Sequence, residues 1–331
     1  MTLAEALPVV FLGLMGFSML VYVVLDGYDL GVGLLSVAAD GAERDRMIAS
    51  LGPFWDANET WLVLGVGILL IVFPRAHGIV LGALYLPVAF MLIGLVLRGV
   101  AFEFRIKAPE HHQPLWNRAF FAGSLVASVA QGWMLARYIT GFAEGPVFTL
   151  FALLIAAALP ATYALLGACW LILKTEGALQ RRSVDWAKRA WPAMVLGLAL
   201  VSIATPWVSP TVRERWFTLP GFIALLPIPL ATGAALLILR GLLNSKHVLG
   251  PLCLLPMLLM ATVALFSGIG LAYSLYPFVV IDKLTVWQAA SATESLVAIA
   301  IGCAIAVPAI AGYTVYSYRV FRGKAQDLDY A

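Results

Sequence analysis

Charge is scarce in this chain. Of 331 residues only 12% are Asp, Glu, Lys or Arg, against 62% hydrophobic, and the mean hydropathy is +0.94. That excludes an ordinary soluble domain, and apolar runs of about 20 residues mark a polytopic membrane protein. Cysteine is sparser still. Cys169, Cys253 and Cys303 fall singly inside apolar runs with no C-x-x-C spacing, which reads as buried free thiols and not as a disulfide or metal framework. The four histidines, His77, His111, His112 and His247, each fall in a predicted connection. No predicted span therefore supplies the imidazoles that a bis-histidine haem in a helical bundle needs. P-loop, Rossmann and H-E-x-x-H patterns are missing, which removes nucleotide-driven transport and zinc hydrolysis. A net charge of +3 with no basic run gives nucleic acid no purchase. The stretch before the first apolar run contains Glu5 and no Lys or Arg. It lacks the positive start of a signal peptide, so the first helix is expected to be retained.

What is present is a series of apolar segments. Nine spans are predicted, at about 9–37, 51–73, 78–105, 117–140, 146–173, 190–208, 218–240, 249–276 and 288–318, several longer than a ~30 Å hydrocarbon core requires. Short connections join them, the longest polar one running from Lys174 to Arg189, and no soluble domain is inserted. The expected fold is an all-α membrane protein of about nine transmembrane helices packed as bundles, a single polytopic domain over 1–331. Connections after the odd-numbered spans, together with the C-terminus, hold fifteen Lys and Arg, among them Arg44, Arg105, Lys174 and Arg182; the opposite side holds five, Arg75, Arg137, Arg213, Arg215 and Lys283. Positive charge stays on the cytoplasmic side, so the N-terminus is expected outside and the C-terminus in the cytoplasm.

Against that background the charges inside spans stand out: Asp26, Asp29, Asp56, Glu59, Arg98, Glu103 and Glu294. An Asp or Arg near a helix centre costs about 2.5–3.5 kcal/mol on insertion scales, and less near the interface. Asp29 falls nearly half-way across and Asp26 one turn further, beyond reach of water by snorkelling. Asp56 and Glu59, three residues apart, share a helix face in Gly52-Pro53-Phe54-Trp55-Asp56-Ala57-Asn58-Glu59-Thr60-Trp61. Pro53 reads as a first-turn residue with Ser50 as a cap, and Trp55 and Trp61 as interfacial indoles. Arg98 precedes Glu103 by about 7.5 Å of helix rise. The acids thus gather in the inner half of spans 1 to 3 around one arginine. One reading is structural: an Asp29–Arg98 or Asp56–Arg98 pair that fixes packing, with first-turn acids complementing the helix dipole. The other is a row of protonatable groups leading inward from the cytosol, intramembrane acids being functional candidates by default. Glu294 stands apart near the outer surface, where a hydrogen bond to a partner helix or to water accounts for it. Gly27 and Gly31 form a GxxxG face that admits another helix closely.

Leu25-Asp26-Gly27-Tyr28-Asp29-Leu30-Gly31-Val32-Gly33, Phe54-Trp55-Asp56-Ala57-Asn58-Glu59-Thr60-Trp61-Leu62 and Leu97-Arg98-Gly99-Val100-Ala101-Phe102-Glu103-Phe104-Arg105, taken together, resemble subunit II of the cytochrome bd-type quinol oxidases, in the cyanide-insensitive branch. Leu171 to Gly177, Tyr276-Pro277-Phe278 and Tyr313 to Arg319 extend the likeness over essentially the whole chain. The resemblance implies a multi-pass protein of the bacterial cytoplasmic (inner) membrane. Its partner, subunit I, would carry the b-type and d-type haems and the quinol site, and the pair would oxidise quinol, reduce O2 to water and draw protons from the cytosol. No cofactor is then expected to be bound directly by this chain. A structural quinone held by some relatives is left open, because the outer connections here are shorter. Small single-helix accessory subunits are further partners in that family. Asp56 maps onto an aspartate of its proton path toward the d-haem, Asp29 onto a companion, and Trp61 onto a proposed O2 route. Some members have Gly-Asn-Gln-Val where this chain has Ala57-Asn58-Glu59-Thr60, so the added carboxylate of Glu59 changes the local wiring.

The expectation is therefore a non-haem subunit with Asp56 as proton-uptake carboxylate, Asp29, Glu59, Glu103 and Asp26 as relay candidates, and Arg98 as their electrostatic partner. Two rivals remain. A proton-coupled secondary transporter would need matched broken helices near the midplane, and no such pair is visible in the sequence. A helper subunit would use its acids only to lock onto its partner.

Overall fold

The computed structural model describes residues 2–325; Met1 and residues 326–331, the ends of the expected single domain, lie outside them. Among the described residues nine helices are long and apolar enough to cross a membrane. They are α1 (Leu3–Leu35), α3 (Trp55–Val72), α4 (Pro74–Lys107), α5 (Gln113–Ile139), α6 (Pro146–Lys174), α7 (Gly177–Val208), α10 (Pro227–Leu243), preceded by the short α9 (Gly221–Leu225), α11 (Leu255–Leu275) and α13 (Thr293–Val320). Short elements fill the ends: α2 (Gly41–Ala49), α8 (Pro210–Phe217), α12 (Val286–Ala289), and an antiparallel pair of β1 (Phe278–Val280) with β2 (Leu284–Thr285).

Several boundaries differ from the sequence expectation. The supposed polar connection Lys174–Arg189 is mostly helix, because α7 starts at Gly177 and carries Arg181, Arg182 and Asp185 on its first turns. Arginine and lysine are good helix formers, and hydropathy alone cannot separate a helix that protrudes from the membrane from a loop. Pro53 lies in the turn before α3 and Phe54 takes the N-cap position. Ser50 ends α2, its hydroxyl donating to the Met47 carbonyl at 2.7 Å. His77 falls in the first turn of α4 and not in a connection, since Pro74 restarts the helix two residues after α3 ends. Glu294 is exposed in the first turn of α13, where an acid complements the helix dipole.

Lipid tails are as apolar as leucine side chains, so these helices gain little by burying hydrocarbon on one another; close packing and internal polar contacts must hold them. The α1–α6 crossing shows how. A Cβ on Gly31 would run into the backbone of Tyr163 and the amide of Gly167, and a Cβ on Gly27 would sit 2.8 Å from the Tyr163 ring. The GxxxG face of α1 is thus where two backbones touch. Around this crossing α1, α5 and α6 pack together, α4 lies on α5, and α7, α10 and α11 extend the bundle beyond α6. On its other side α1 carries α3, and α13 leans on α3 and α1 with little of its surface covered.

Candidate functional site

The charged residues of α1, α3 and α4 meet on the inside of this packing. Asp26 and Asp29 project from α1 with 0% and 1% of their surface exposed, and Arg98 of α4 with 3%. Arg98 Nη2 lies 2.7 Å from Asp26 Oδ1 and 2.5 Å from Glu59 Oε1. Arg98 therefore serves Asp26 and Glu59; the expected pairs with Asp29 or Asp56 do not form. The reason is helical geometry. Asp56 and Glu59 are neighbours on α3, but only Glu59 is turned far enough toward α4 to reach the guanidinium, while Asp56 faces outward and is exposed. Glu59 occupies the border, its side chain 30% exposed. The three acids Asp56, Glu59 and Asp26 thus grade from surface to interior. Glu103, more than one turn past Arg98 on α4, is half-buried and contributes nothing to the ion-paired cluster.

Asp29 is held differently. Asn58, fully buried on α3, donates from Nδ2 to Asp29 Oδ2 at 2.8 Å and to the Tyr28 hydroxyl at 2.8 Å. Tyr318 of α13 donates its hydroxyl to Asn58 Oδ1 at 3.0 Å and lies 2.5 Å from Tyr28 Oη. Tyr28 stacks on Trp170 of α6, ring centroids 4.0 Å apart. A second polar chain lies higher on α1: Tyr163 donates to Gln131 Oε1 and Gln131 Nε2 to the hydroxyl of Tyr22, which neighbours Asp26. Asp29 Oδ1, Asp26 Oδ2 and Arg98 Nη1 have no hydrogen-bond partner among the described residues, and Asp26 Oδ1 meets Arg98 as an ion pair without hydrogen-bond alignment. Buried polar atoms of this kind ordinarily find partners in ordered water.

Sequence reasoning missed Asn58, Tyr28, Tyr318, Tyr22, Gln131 and Tyr163, since a search limited to charged side chains passes over amides and phenols. Asn58 was visible nonetheless, a polar residue between Asp56 and Glu59 on the buried side of an apolar helix. Trp61 also differs from the expectation of an interfacial indole. Trp61 is buried and donates its indole N–H to Thr314 of α13 at 3.1 Å, with Phe17 edge-on to it. Trp55 packs on Phe102.

At the end of the bundle where α1 and α6 finish, three arginines and two lysines tie the structure together. Arg105 bonds Asp45 of α2 and Asn117 of α5, and Arg182 of α7 bonds Glu43 of α2. Arg44 donates to the Ser36 and Ala39 carbonyls. Lys174, at the last residue of α6, donates to the carbonyls of Phe321 and Gly323 at 2.7 and 3.0 Å. Lys324 returns a bond to the Thr175 carbonyl at 2.9 Å.

The sequence signature of one family, described as cytochrome bd terminal oxidase subunit II, matches residues 7–321. The chain is 27% identical over 371 residues to the cytochrome bd-I ubiquinol oxidase subunit 2 of Escherichia coli K12, covering 98% of this chain and 97% of that one. It is 26% identical over 322 residues to the cytochrome bd ubiquinol oxidase subunit 2 of Bacillus subtilis, covering 90% of each. Among solved structures, the bd oxidase from Geobacillus thermodenitrificans contains a chain that superposes with a TM-score of 0.76 at 17% identity, over 95% of this chain and 98% of that one. At that identity the likeness speaks for the fold.

Proposed function

Because this chain belongs to the cytochrome bd terminal oxidase subunit II family, and is thus a subunit of a quinol oxidase in the bacterial inner membrane, we propose that it delivers cytosolic protons to a haem-bearing subunit I. In this reading it is one polytopic unit with its N-terminus outside and its C-terminus in the cytoplasm. The observation that carries the proposal is the sharing of Arg98 between buried Asp26 and border Glu59. One fixed cation links an acid that water can reach to acids that it cannot.

The physical logic follows from charge accounting. Two carboxylates and one guanidinium leave a net negative charge in a low-dielectric interior, which favours capture of one proton by the group of acids as a whole. Asp56 is exposed and collects protons; Glu59, one turn along the same face, passes them to the Arg98 cluster; Asp26 and Asp29 hold them inside. Arg98 keeps at least one of the acids ionised, so a proton can leave as well as arrive. Glu103 is retained only as a collecting group, being half-buried and outside the ion pairs. The face of α3 around Asp56 also exposes Val63, Val66 and Leu70, an apolar flank suited to a partner helix in the membrane. Subunit I docked there would lie along the side of α3 that carries Glu59.

Haem b and haem d are assigned to subunit I. The residues here do not fit them, because all four imidazoles lie at helix ends or in connections, away from the membrane interior where axial ligands would be needed. Quinol oxidation and O2 reduction accordingly belong to the partner, and this chain's own residues collect, hold and move protons. Trp61 on α3, bonded to α13, stands at the seam between those helices, and an O2 route along that seam is part of the same proposal.

The test is Asp56→Asn, and separately Glu59→Gln, in the assembled oxidase. Loss of a positioned proton-transfer group lowers rates by about 10²–10⁴-fold. O2 consumption should fall toward that range while the complex assembles and its visible haem spectrum persists. Normal O2 consumption by both variants at full assembly would rule the relay out.

A further inference from the structure

We propose that Asn58, oriented by Tyr28 and Tyr318, is a positioning residue that fixes which face of Asp29 can exchange a proton, and that the last helix thereby controls the relay. The inference rests on the relay reading above and adds to it the group that sets its geometry.

With the Asn58 oxygen facing Tyr318 and its nitrogen facing Asp29, the hydrogen bonds around the amide have only one consistent set of directions. The carbonyl oxygen of Asn58 can only accept, so the single hydroxyl proton of Tyr318 points at it, at 3.0 Å. Tyr318 then has no proton left for Tyr28, and the 2.5 Å contact between the two phenols must be donated by Tyr28. Tyr28 in turn has no proton for Asp29 and accepts from Asn58 Nδ2 at 2.8 Å. The three groups close a ring in which every donor points the same way round. The remaining Nδ2 hydrogen is directed at Asp29 Oδ2, at 2.8 Å. Turning the amide over would set its oxygen against the carboxylate and run the ring the opposite way round, so the bond to Asp29 is what selects the orientation.

The consequence for Asp29 is an asymmetry. Oδ2 is occupied by a donor that the ring holds in place. Oδ1, buried and unpartnered among the described residues, is the oxygen left to take and release a proton. The charged and titratable groups that face Asp29 are Asp26 on its own helix, Glu59 on α3 and Arg98 on α4, with Tyr28 and Tyr318 beyond Asn58. All but one come from α1, α3 and α4, of which α1 packs on α3 and α4 is held mainly by α5. Tyr318 comes from α13, which is thinly packed and whose end is tied down where Lys174 grips the Phe321 and Gly323 carbonyls. A shift of α13 would open the ring while leaving the acids in place.

Tyr318→Phe in the assembled oxidase tests this, since it removes one oxygen and keeps the ring that packs on Phe54 at 4.7 Å between centroids. Turnover per haem is measured across pH, and the Asp29 carboxyl is followed by infrared difference spectroscopy, its band assigned through Asp29→Asn. The expected result is a loss of roughly two- to tenfold in turnover per haem, the size of one hydrogen bond between neutral groups, with a displaced pH profile and a shifted Asp29 band. Asn58→Leu should reproduce the same displacement and shift. A pH profile and a carboxyl band identical to wild type in Tyr318→Phe would overturn the inference, whatever happens to assembly or to total rate. If Asp29→Asn leaves turnover intact, the relay reading fails, and the carboxyl band alone still decides whether Asn58 orients Asp29.

Discussion

Arg98 is the residue on which the buried charges depend. Its guanidinium is nearly enclosed, and its Nη2 contacts carboxylates from two other helices. A buried pair adds little over well-packed hydrocarbon, yet removing one partner strands the other and costs about 3–5 kcal/mol. Arg98→Met keeps the length and apolar stem while deleting the charge. We expect the purified complex to lose that much stability, seen as a fall in its thermal midpoint, with Asp26→Asn in the same background recovering part of the loss. No recovery would mean that the stranded carboxylate is not what destabilises the variant. Residue-level chemistry was only partly legible beforehand. Asp26, Asp29, Glu59 and Arg98 stood out because charge in a hydrocarbon span needs a reason. The choice of partner did not, because sequence spacing along α3 leaves open which of Asp56 and Glu59 turns toward α4.

At the scale of elements, α6 and α13 are joined at their ends by the bonds of Lys174. Its ammonium donates to two carbonyls and stands 4.7 Å from the centre of the Phe54 ring. Hydrogen bonds to a charged group contribute about 1.5–3 kcal/mol each, so Lys174→Met should raise the open population of residues 321–325 by at least about tenfold. Limited trypsin digestion at Arg322 and Lys324, followed by mass spectrometry, should show correspondingly faster cleavage; an unchanged rate would mean that other contacts hold the segment. The α1–α6 crossing makes a second element-level prediction. Gly31→Val places a branched side chain where the Tyr163 and Gly167 backbones already lie. Overpacking ordinarily costs about 1–3 kcal/mol, and with backbone on the opposing side the upper part of that range is expected, read as a lower thermal midpoint. The Gly27 and Gly31 spacing announced a close approach, but the identity of the helix on the other side was beyond any local pattern.

Across the whole molecule, the nine membrane-crossing helices of the described residues are expected to put the two ends of the chain on opposite faces of the membrane, with the excess of Lys and Arg choosing which face is which. Single cysteines in a background lacking Cys169, Cys253 and Cys303 would test that choice. A cysteine at Asp40, whose side chain is 88% exposed, should react with an impermeant thiol reagent only in opened cells. One at exposed Glu294 should react in intact cells. The reverse pattern would invert the molecule and place the acid row at the outer surface, where it could not draw on cytosolic protons.

By itself the sequence determined the all-helical membrane class, the nine membrane-crossing helices of the described residues and which of those helices carry charge inside. These follow from hydropathy, which acts residue by residue against the same solvent, the lipid. It also placed the family motifs, which are local strings. Tertiary structure alone decided that Arg98 serves Asp26 and Glu59, that Asp29 is held by Asn58, and that Tyr318 completes the ring from 260 residues away in the chain. Those outcomes depend on the rotation of each helix about its axis and on where α13 comes to rest. Both are set by backbone contact at glycines and by a few directed hydrogen bonds, to which an apolar composition is blind.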